Sequence, residues 1–262
     1  MRRIGWHPNG NNWGLGWQYT FGGNCFDPVN WKPTFETPEI LKALRWINEY
    51  YDVYGNARAS RSRFLGQEAS MVMDSSTIYF TAVNNPDLDF FIGRFPTAEG
   101  VPGFSMGWVH AVAMIKGAPH PEEAAKFLLF LIEPEVQMMY YTQTYIMPVN
   151  MTIIRQAAAR TTDPRYRVLF DMLPIGRSDP PLTYLPGGLN TICSTIITKM
   201  ANKELTPEAA MQEMQREATL PGGCVSGMEV VRVDLVCRRL PGYVETGHFV
   251  LVVMRLSGLC RF

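Results

Sequence analysis

The chain has 262 residues, 47% of them hydrophobic and 18% charged, which suffices for one large domain or two smaller ones. Lysine plus arginine and aspartate plus glutamate both number 24, so the formal net charge is zero. This balance excludes a strongly basic protein of the kind that binds nucleic acid, and it excludes a strongly acidic one. No apolar run approaches the roughly 20 residues that a membrane-spanning helix needs.

The N-terminus and the cysteines bear on compartment and cofactor. Arg2 and Arg3 are not followed by an apolar stretch, so no signal peptide is predicted in this chain. The five cysteines are odd in number and lack the C-x-x-C spacing. Neither a zinc site nor a disulfide framework is therefore predicted, and we expect no metal and no cofactor.

Helix starts are the clearest local signal along the chain. After a loop rich in Gly, Asn and Trp that reaches about Pro33, four segments share a proline followed by a glutamate. They are Thr37-Pro38-Glu39, His120-Pro121-Glu122, Glu133-Pro134-Glu135 and Thr206-Pro207-Glu208. Proline suits the first helical position and an acidic residue complements the helix dipole, so each predicts a helix start. An apolar stripe from Leu189 to Met200 predicts a further helix.

Short runs of apolar and β-branched residues lie between these helices. Strands are predicted at residues 69–73, 78–83, 88–95 and 109–115. Strands and helices thus alternate as far as about Tyr141, and helices dominate afterwards. The pattern favours an α/β fold in which helices pack on a sheet.

The tail from Cys224 differs in composition from the rest of the chain. It contains no Ala, Asn, Gln, Lys or Trp, it is dense in Val, and it holds three of the five cysteines. The shift indicates a separate unit or a sequence artefact such as out-of-frame translation, and we favour the artefact. The alternative is an ordinary terminal β-hairpin through residues 229–236 and 248–255.

A series of short segments occurs in one order between residues 5 and 220. They are Gly22-Gly23 with Asp27-Pro28, Phe64 with Gly66-Gln67-Glu68-Ala69-Ser70-Met71, Phe90 to Pro96, Gly107-Trp108, Ala113 to Ala118, Pro121 to Leu131, Met147-Pro148-Val149 and Leu205 to Ala210. In this order they resemble extracellular solute-binding proteins of family 1, the sugar-capturing subunits of bacterial ABC importers. Ser70 departs from the family's G-x-x-A-M-like run, and the usual signal peptide and N-terminal half are absent.

The resemblance implies a periplasmic-binding-protein-like II fold of the α/β class, present as part of a two-lobe clamp. Residues 1–103 are expected in the second lobe and residues 104–145 in a returning segment of the first lobe. Residues 146–222 would supply the closing helices of the second lobe, and residues 223–262 are the atypical tail. A chain of this family is expected to act as a monomer at the periplasmic or extracellular face of the cytoplasmic membrane. Its partners would be a carbohydrate ligand and the membrane permease subunits.

A sugar site requires flat aromatic surfaces for the apolar ring faces and polar partners for the hydroxyls. The loop Asn11-Asn12-Trp13-Gly14-Leu15-Gly16-Trp17 supplies both, and the resemblance places it near the cleft. Matching positions in the family imply further contacts after the 71–73 run and at the two hinge crossings. The predicted ligand-binding residues are Trp13, Trp17, Ser76, Tyr79, Trp108 and Tyr145. For each, the alternative is an ordinary place in the core, where aromatic residues are usually found.

The sequence leaves two alternatives to sugar binding. Gly103-Phe104-Ser105-Met106-Gly107 matches the G-x-S-x-G motif of serine hydrolases, and His110 is close in sequence. A nucleophile elbow needs a strand before the serine and a helix after it, whereas a Pro/Gly loop precedes Ser105 and a β-like run follows. We therefore expect no enzyme activity. The other alternative is a truncated remnant of a solute-binding protein that no longer binds.

Overall fold

The computed structural model describes residues 5, 15–30, 32–55, 59–107, 112–114, 117–178 and 188–219, and the backbone of residues 228–233 and 251–256. The chain divides into two compact units, Met1–Trp108 with Gln137–Gly222 and Val109–Val136 with Gly223–Phe262. These bounds differ from the lobe boundaries expected at residues 103, 145 and 222. The assignment of segments to lobes therefore stays a prediction.

The described elements mix helices with short strands. In chain order the helices are α1 (Pro38–Tyr54), α2 (Arg61–Leu65), α3 (Ile78–Val83), α4 (Pro121–Leu131), α5 (Pro134–Thr144), α6 (Met151–Arg160), α7 (Pro164–Met172), α8 (Gly188–Ala201) and α9 (Pro207–Thr219). The strands are β1 (Phe26–Asp27), β2 (Lys32–Pro33), β3 (Ser105–Met106), β4 (Gly176–Arg177), β5 (Met228–Val233) and β6 (Leu251–Leu256), and the 3-10 helices are Gly16–Phe21 and Leu173–Ile175. Among the described residues, no helix is long and apolar enough to cross a membrane.

The four helices predicted from the proline motif begin where the motif places them. In α1, Pro38 is the first residue and the Thr37 side chain accepts a hydrogen bond from the backbone N–H of Ile40 at 3.3 Å. In α9, Pro207 is the first residue and the Thr206 hydroxyl accepts from Ala209 N–H at 3.2 Å. These caps satisfy donors that the first turn leaves free, so the helix start depends on local sequence alone.

The strand predicted at residues 78–83 is wrong, because these residues form α3. Ile, Tyr, Phe, Thr and Val favour a strand by propensity, but Tyr79 and Ala82 are both buried. Their three-residue spacing places them on one helical face, and this burial overrides the propensity. Residues 88–95 are irregular, and within 69–73 only Ala69 forms a bridge.

The main core of the first unit is formed by α1, α8 and α9 with the 3-10 helix Gly16–Phe21. Ile40, Leu44 and Ile47 of α1 recur at helical spacing and are fully buried. The stripe predicted from Leu189 to Met200 is confirmed as the buried face of α8. Each large apolar side chain buried in this way contributes roughly 2 kcal/mol, so the three helices form a stable platform.

Two short strand pairs complete the described part of the first unit. β1 pairs antiparallel with β2, and β3 pairs parallel with β4 so that Ser105 lies opposite Gly176. The N–H of Gly107 continues the second ladder by donating to the Arg177 carbonyl oxygen at 2.7 Å. This parallel pair joins segments that are 71 residues apart in sequence, which local patterns cannot predict.

The second unit contains α4 and the two tail strands. Glu122 and Glu123 lie in the first turn of α4, where their charge complements the helix dipole. β5 and β6 pair antiparallel, with Met228 opposite Leu256 and Val233 opposite Leu251. These strands overlap the β-hairpin through residues 229–236 and 248–255 that was the alternative for the tail.

Candidate functional site

The six predicted ligand-binding residues separate into three groups. Ser76, Tyr79 and Tyr145 lie together around a second, aromatic core of the first unit. Trp17 lies in the main core instead. Trp13 and Trp108 fall outside the described residues.

The second core is a group of four tyrosines, Tyr79, Tyr141, Tyr145 and Tyr166, which we call the tyrosine cluster. The ring centroid of Tyr79 lies 4.7 Å from that of Tyr145 and 4.8 Å from that of Tyr166. Tyr145 and Tyr166 are 5.2 Å apart, and Tyr141 lies 5.9 Å from Tyr166. The tilted and edge-on geometries are those that aromatic pairs prefer, so the cluster holds its rings in fixed orientations.

Three elements and one loop position bring these rings together. Tyr79 comes from α3, Tyr141 from α5, and Tyr166 from α7, while Tyr145 directly follows α5. The ring centroids of Tyr141 and Tyr145 lie 6.2 Å apart, so α5 and the residue that follows it contribute two neighbouring rings. Tyr79, Tyr141 and Tyr166 are buried, and Tyr145 is partly exposed at the edge of the cluster.

The hydroxyl groups of Tyr79, Tyr141 and Tyr166 are hydrogen-bonded. Tyr79 donates to the Asp163 carboxylate at 2.6 Å, and Tyr166 donates to the backbone carbonyl of Tyr145. The Tyr141 hydroxyl lies 2.7 Å from that of Thr161. Burial raises the pKa of Tyr79 and Tyr141 above the usual tyrosine value. Both hydroxyls are therefore neutral donors at physiological pH.

Ser76 touches the same cluster. Burial raises the pKa of Tyr166 above its usual range, and a hydrogen bond with the Ser76 side chain opposes this rise. The Ser76 carbonyl also accepts from the N–H of Tyr79 at 3.1 Å, so Ser76 forms the turn that begins α3. Of the residues predicted from the sequence, Ser76, Tyr79 and Tyr145 are thus brought into one place.

A charged pair at the cluster, Asp163 with Arg165, was missed by the sequence analysis. The Arg165 guanidinium hydrogen-bonds the Asp163 carboxylate at 2.6 Å and lies 4.5 Å from the centre of the Phe90 ring. The hydrogen bond from Arg165 holds the pKa of Asp163 well below its usual range, so this carboxyl is ionised at neutral pH. The sequence Asp163-Pro164 could have indicated this position, because a capping residue before a proline predicts a helix start. In the structure Asp163 caps α7.

Tyr145 has an unusual backbone as well as a partly exposed ring. Its φ is 57°, in the left-handed region that a non-glycine residue rarely adopts, and its N–H donates to the Tyr141 carbonyl at 2.8 Å. The position is the one after a helix where glycine is usual, so a tyrosine there costs on the order of 1 kcal/mol. Backbone strain of this kind is concentrated at functional sites.

The exposed edge of the cluster combines apolar and polar surface. Phe80 is 48% exposed, and its ring centroid lies 6.3 Å from that of Tyr145. The Asp163 side chain is 23% exposed, and its carboxylate accepts hydrogen bonds from the Tyr79 hydroxyl and from Arg165. Aromatic faces beside an ionised carboxylate suit a ligand with both an apolar ring face and hydroxyl groups.

Trp17 occupies a different environment from the tyrosine cluster. Its side chain is 2% exposed within the main core, and its indole N–H has no hydrogen-bond partner among the described residues. A ligand could stack on this ring only if the covering residues moved. The stacking role of Trp17 therefore stays a prediction.

Ser105, the serine of the G-x-S-x-G motif, lies within β3. Its partner in the parallel ladder is Gly176, and the ladder continues through Gly107. A nucleophile elbow instead places its serine on a sharp turn between a strand and a helix. The motif here is part of a strand pair.

Comparison with known proteins identifies the family and the fold. The family model described as bacterial extracellular solute-binding protein matches residues 2–166, which is more than half of the chain. No match is found among curated proteins.

Solved structures of similar fold come from several bacteria. An ABC transporter solute-binding protein from Thermotoga lettingae bound with α-D-tagatose is 21% identical with a TM-score of 0.68, over 83% of this chain and 60% of that one. Maltose-bound MalE3 of T. maritima is 17% identical with a TM-score of 0.67, over 83% and 60%. The cyclic α-maltosyl-1,6-maltose binding protein from Arthrobacter globiformis is 17% identical with a TM-score of 0.62, over 77% and 52%.

The chain therefore spans between about half and three fifths of the length of these structures and shares their fold over that span. The expected α/β fold of the periplasmic-binding-protein type is confirmed, as is the family inferred from the ordered segments. The chain belongs to the family of bacterial extracellular solute-binding proteins.

Proposed function

We propose that the chain is part of the sugar-binding component of an ABC importer, and that it contributes a carbohydrate-binding surface. The family supports solute binding as the activity. Proteins of similar fold have been solved with tagatose and with maltose bound, which supports a sugar as the solute. Because the family is one of binding proteins, Ser105 is not proposed as a nucleophile.

The observation that carries this proposal is the exposed edge of the tyrosine cluster. Tyr145 and Phe80 offer aromatic surface there. The partly exposed Asp163–Arg165 pair beside Tyr79 is proposed to exchange hydrogen bonds with the hydroxyl groups of a ligand. Hydrogen bonds between a neutral hydroxyl and a charged group contribute about 1.5–3 kcal/mol each, which suits sugar recognition. Tyr79 and Arg165 fix the carboxylate, so the acceptor is held in place before a ligand arrives.

The predicted tryptophans would complete the site. Trp13 and Trp108 are proposed to stack on sugar rings, with Ser76 and Tyr79 supplying hydroxyl contacts or supporting them. In the whole protein, sugar binding would close two lobes about a hinge, and the closed form would dock on the membrane permease subunits. We place this activity at the periplasmic or extracellular face of the cytoplasmic membrane, and we expect a monomer.

A second candidate is a remnant that no longer binds. It is favoured by one observation, which is that the chain covers only 52–60% of the solved structures that it resembles. A two-lobe clamp grips its ligand between lobes, so a chain with part of the clamp could lose most of its affinity. The two candidates predict opposite results in one experiment.

The experiment is a thermal melt of the purified chain, repeated with a panel of mono- and oligosaccharides at millimolar concentration. A sugar at about 100 times its Kd stabilises the native state by about 2.7 kcal/mol, so the binder shows a raised melting temperature with one sugar class. Tyr145→Ala and Phe80→Ala should reduce that rise. Tyr54→Ala is the matched control, because Tyr54 is 68% exposed on α1 and packs on Tyr50 at 4.9 Å.

Each outcome separates the candidates. A sugar-dependent rise that survives Tyr54→Ala and is lost with Tyr145→Ala supports the proposed site. A cooperative melt that no sugar shifts supports the remnant. A rise that Tyr145→Ala and Phe80→Ala leave unchanged would place the site elsewhere and contradict the role of the tyrosine cluster.

A further inference from the structure

A second polar network joins the start of α2 to the segment that precedes α3. Arg61, the first residue of α2, donates to both carboxylate oxygens of Asp74 at 2.8 and 2.5 Å. Its Nη2 also lies 3.1 Å from the hydroxyl oxygens of Ser75 and Thr77. One guanidinium thus binds three of the four residues in the segment 74–77.

Burial makes this network costly to disturb. The Asp74 side chain is 1% exposed and that of Arg61 is 36% exposed. A carboxylate so deeply buried is stable only when it is paired and hydrogen-bonded, which requires the guanidinium to stay in place. Two further hydrogen bonds stabilise the same segment. The Ser75 N–H donates to the Asp74 carboxylate at 2.7 Å, and the hydroxyl oxygens of Ser75 and Thr77 lie 2.6 Å apart.

The segment held by Arg61 directly begins α3. The carbonyl oxygens of Ser75 and Ser76 accept the N–H groups of Ile78 and Tyr79, both at 3.1 Å. A continuous series of contacts therefore leads from the Arg61 guanidinium to the segment 74–77. This segment leads into the first turn of α3, which carries the ring of Tyr79. A shift of the segment must move Tyr79 and the Ser76 side chain that contacts Tyr166.

We propose that Arg61, through Asp74, Ser75 and Thr77, is a positioning residue for the sugar site, holding Ser76 and Tyr79 in the orientation that the ligand requires. The inference rests on the proposed function and adds a residue that does not itself touch the ligand. Binding residues must be held to within a fraction of an ångström by a supporting layer, and Arg61 supplies that layer for α3.

The test compares Arg61→Lys with the matched control Arg63→Lys. Lysine keeps a charge beside the buried Asp74, so the variant should fold, but it lacks the planar fork that reaches Asp74, Ser75 and Thr77 together. Arg63 lies on the same helix and pairs with Glu68 at 3.9 Å. A second variant, Arg61→Gln with Asp74→Asn, removes both charges and leaves no unpaired charge buried. It provides the test if Arg61→Lys does not fold.

Two readouts are taken on the folded chain. The first is the Kd for the sugar selected by the thermal melts, where we expect Arg61→Lys to weaken binding about tenfold and Arg63→Lys to leave it unchanged. The second is the near-ultraviolet circular dichroism of the tyrosines without sugar, where Arg61→Lys should change the spectrum and Arg63→Lys should not. A purely structural role for Arg61 would lower stability in urea and leave the Kd of the folded protein unaltered.

The outcomes keep this inference separate from the proposed function. A wild-type chain that binds no sugar refutes the proposed function, and the tyrosine spectrum then shows whether Arg61 orients the cluster. If the wild type binds a sugar and both Arg61 variants bind it with the wild-type Kd, the inference is overturned. Where no sugar binds, tyrosine spectra that match the wild type in both variants overturn it.

Discussion

The hydrogen bond between Tyr79 and Asp163 can be isolated by a single substitution, Tyr79→Phe. The variant removes one hydroxyl and keeps the ring that packs 4.7 Å from Tyr145 and 4.8 Å from Tyr166. A hydrogen bond to a charged group contributes about 1.5–3 kcal/mol. Asp163 keeps its bonds to Arg165 and is 23% exposed, so water can replace the lost donor. We therefore expect Tyr79→Phe to lower the free energy of unfolding by about 1.5 kcal/mol at neutral pH, which is the lower end of that range.

The pH dependence of this loss follows from the carboxyl group. The folded pKa of Asp163 is lowered, chiefly by the hydrogen bond from Arg165, so its contribution to stability is present above the unfolded pKa of about 3.9. The contribution is lost as the pH falls through the folded pKa. The stability difference between wild type and Tyr79→Phe should thus shrink in strong acid.

Urea unfolding from neutral pH down to strongly acidic pH, monitored by far-ultraviolet circular dichroism, measures the free energy of unfolding directly. The midpoint should fall while the slope with urea stays the same, because the exposed surface is unchanged. Tyr140→Phe is the control, since Tyr140 is 48% exposed on the neighbouring helix α5. A loss no larger than that of the control, or one that persists unchanged in acid, would refute the geometry assigned to Tyr79 and Asp163.

Three further predictions concern the same unit. Tyr145→Gly should be about 1 kcal/mol more stable in urea than Tyr145→Ala, because a φ of 57° favours glycine; an alanine variant of equal or greater stability would contradict the strained backbone. Trp17→Ala should lower the free energy of unfolding by about 3–5 kcal/mol through the cavity left in the main core, whereas a loss below 1 kcal/mol would indicate an exposed ring. Burial raises the folded pKa of Tyr79, Tyr141 and Tyr166 above the unfolded value of about 10, so the stability due to their neutral forms is complete below that pH. As the pH rises further, stability should fall by about 1.4 kcal/mol per pH unit for each buried tyrosine, and part of the tyrosinate absorbance should appear only on unfolding. Full ionisation of all 11 tyrosines in the folded protein would contradict this burial.

Helix starts were predictable from the sequence because their causes are local. Thr37 and Thr206 each cap the helix that follows, and the proline after each suits the first turn. The same logic would have found α7, where Asp163 caps and Pro164 follows. The signal was present there, and it marks a residue of the candidate site.

The strand error and the tyrosine cluster have a shared cause. The propensities of residues 78–83 favour a strand, but the packing of Tyr79 against Tyr145 and Tyr166 selects a helix. These partners lie 66 and 87 positions further along the chain, and Asp163 lies 84 positions from Tyr79. Single-sequence patterns carry the local preference and not the contact that overrides it.

The fold brings part of the predicted site together. Ser76, Tyr79 and Tyr145 were named from their positions in the family and lie together, whereas Trp17 lies in the main core. Aromatic residues serve both cores and sugar sites, so residue type alone does not separate the two uses. The separation depends on which ring keeps an exposed face.

The central claim is that a carbohydrate binds at the edge of the tyrosine cluster. Its most direct test is an experimental structure of the chain with the sugar that the thermal melts select. The account predicts a sugar ring packed on Tyr145 or Phe80, with a hydroxyl group hydrogen-bonded to the Asp163 carboxylate. A sugar that contacts none of these three residues would contradict the account.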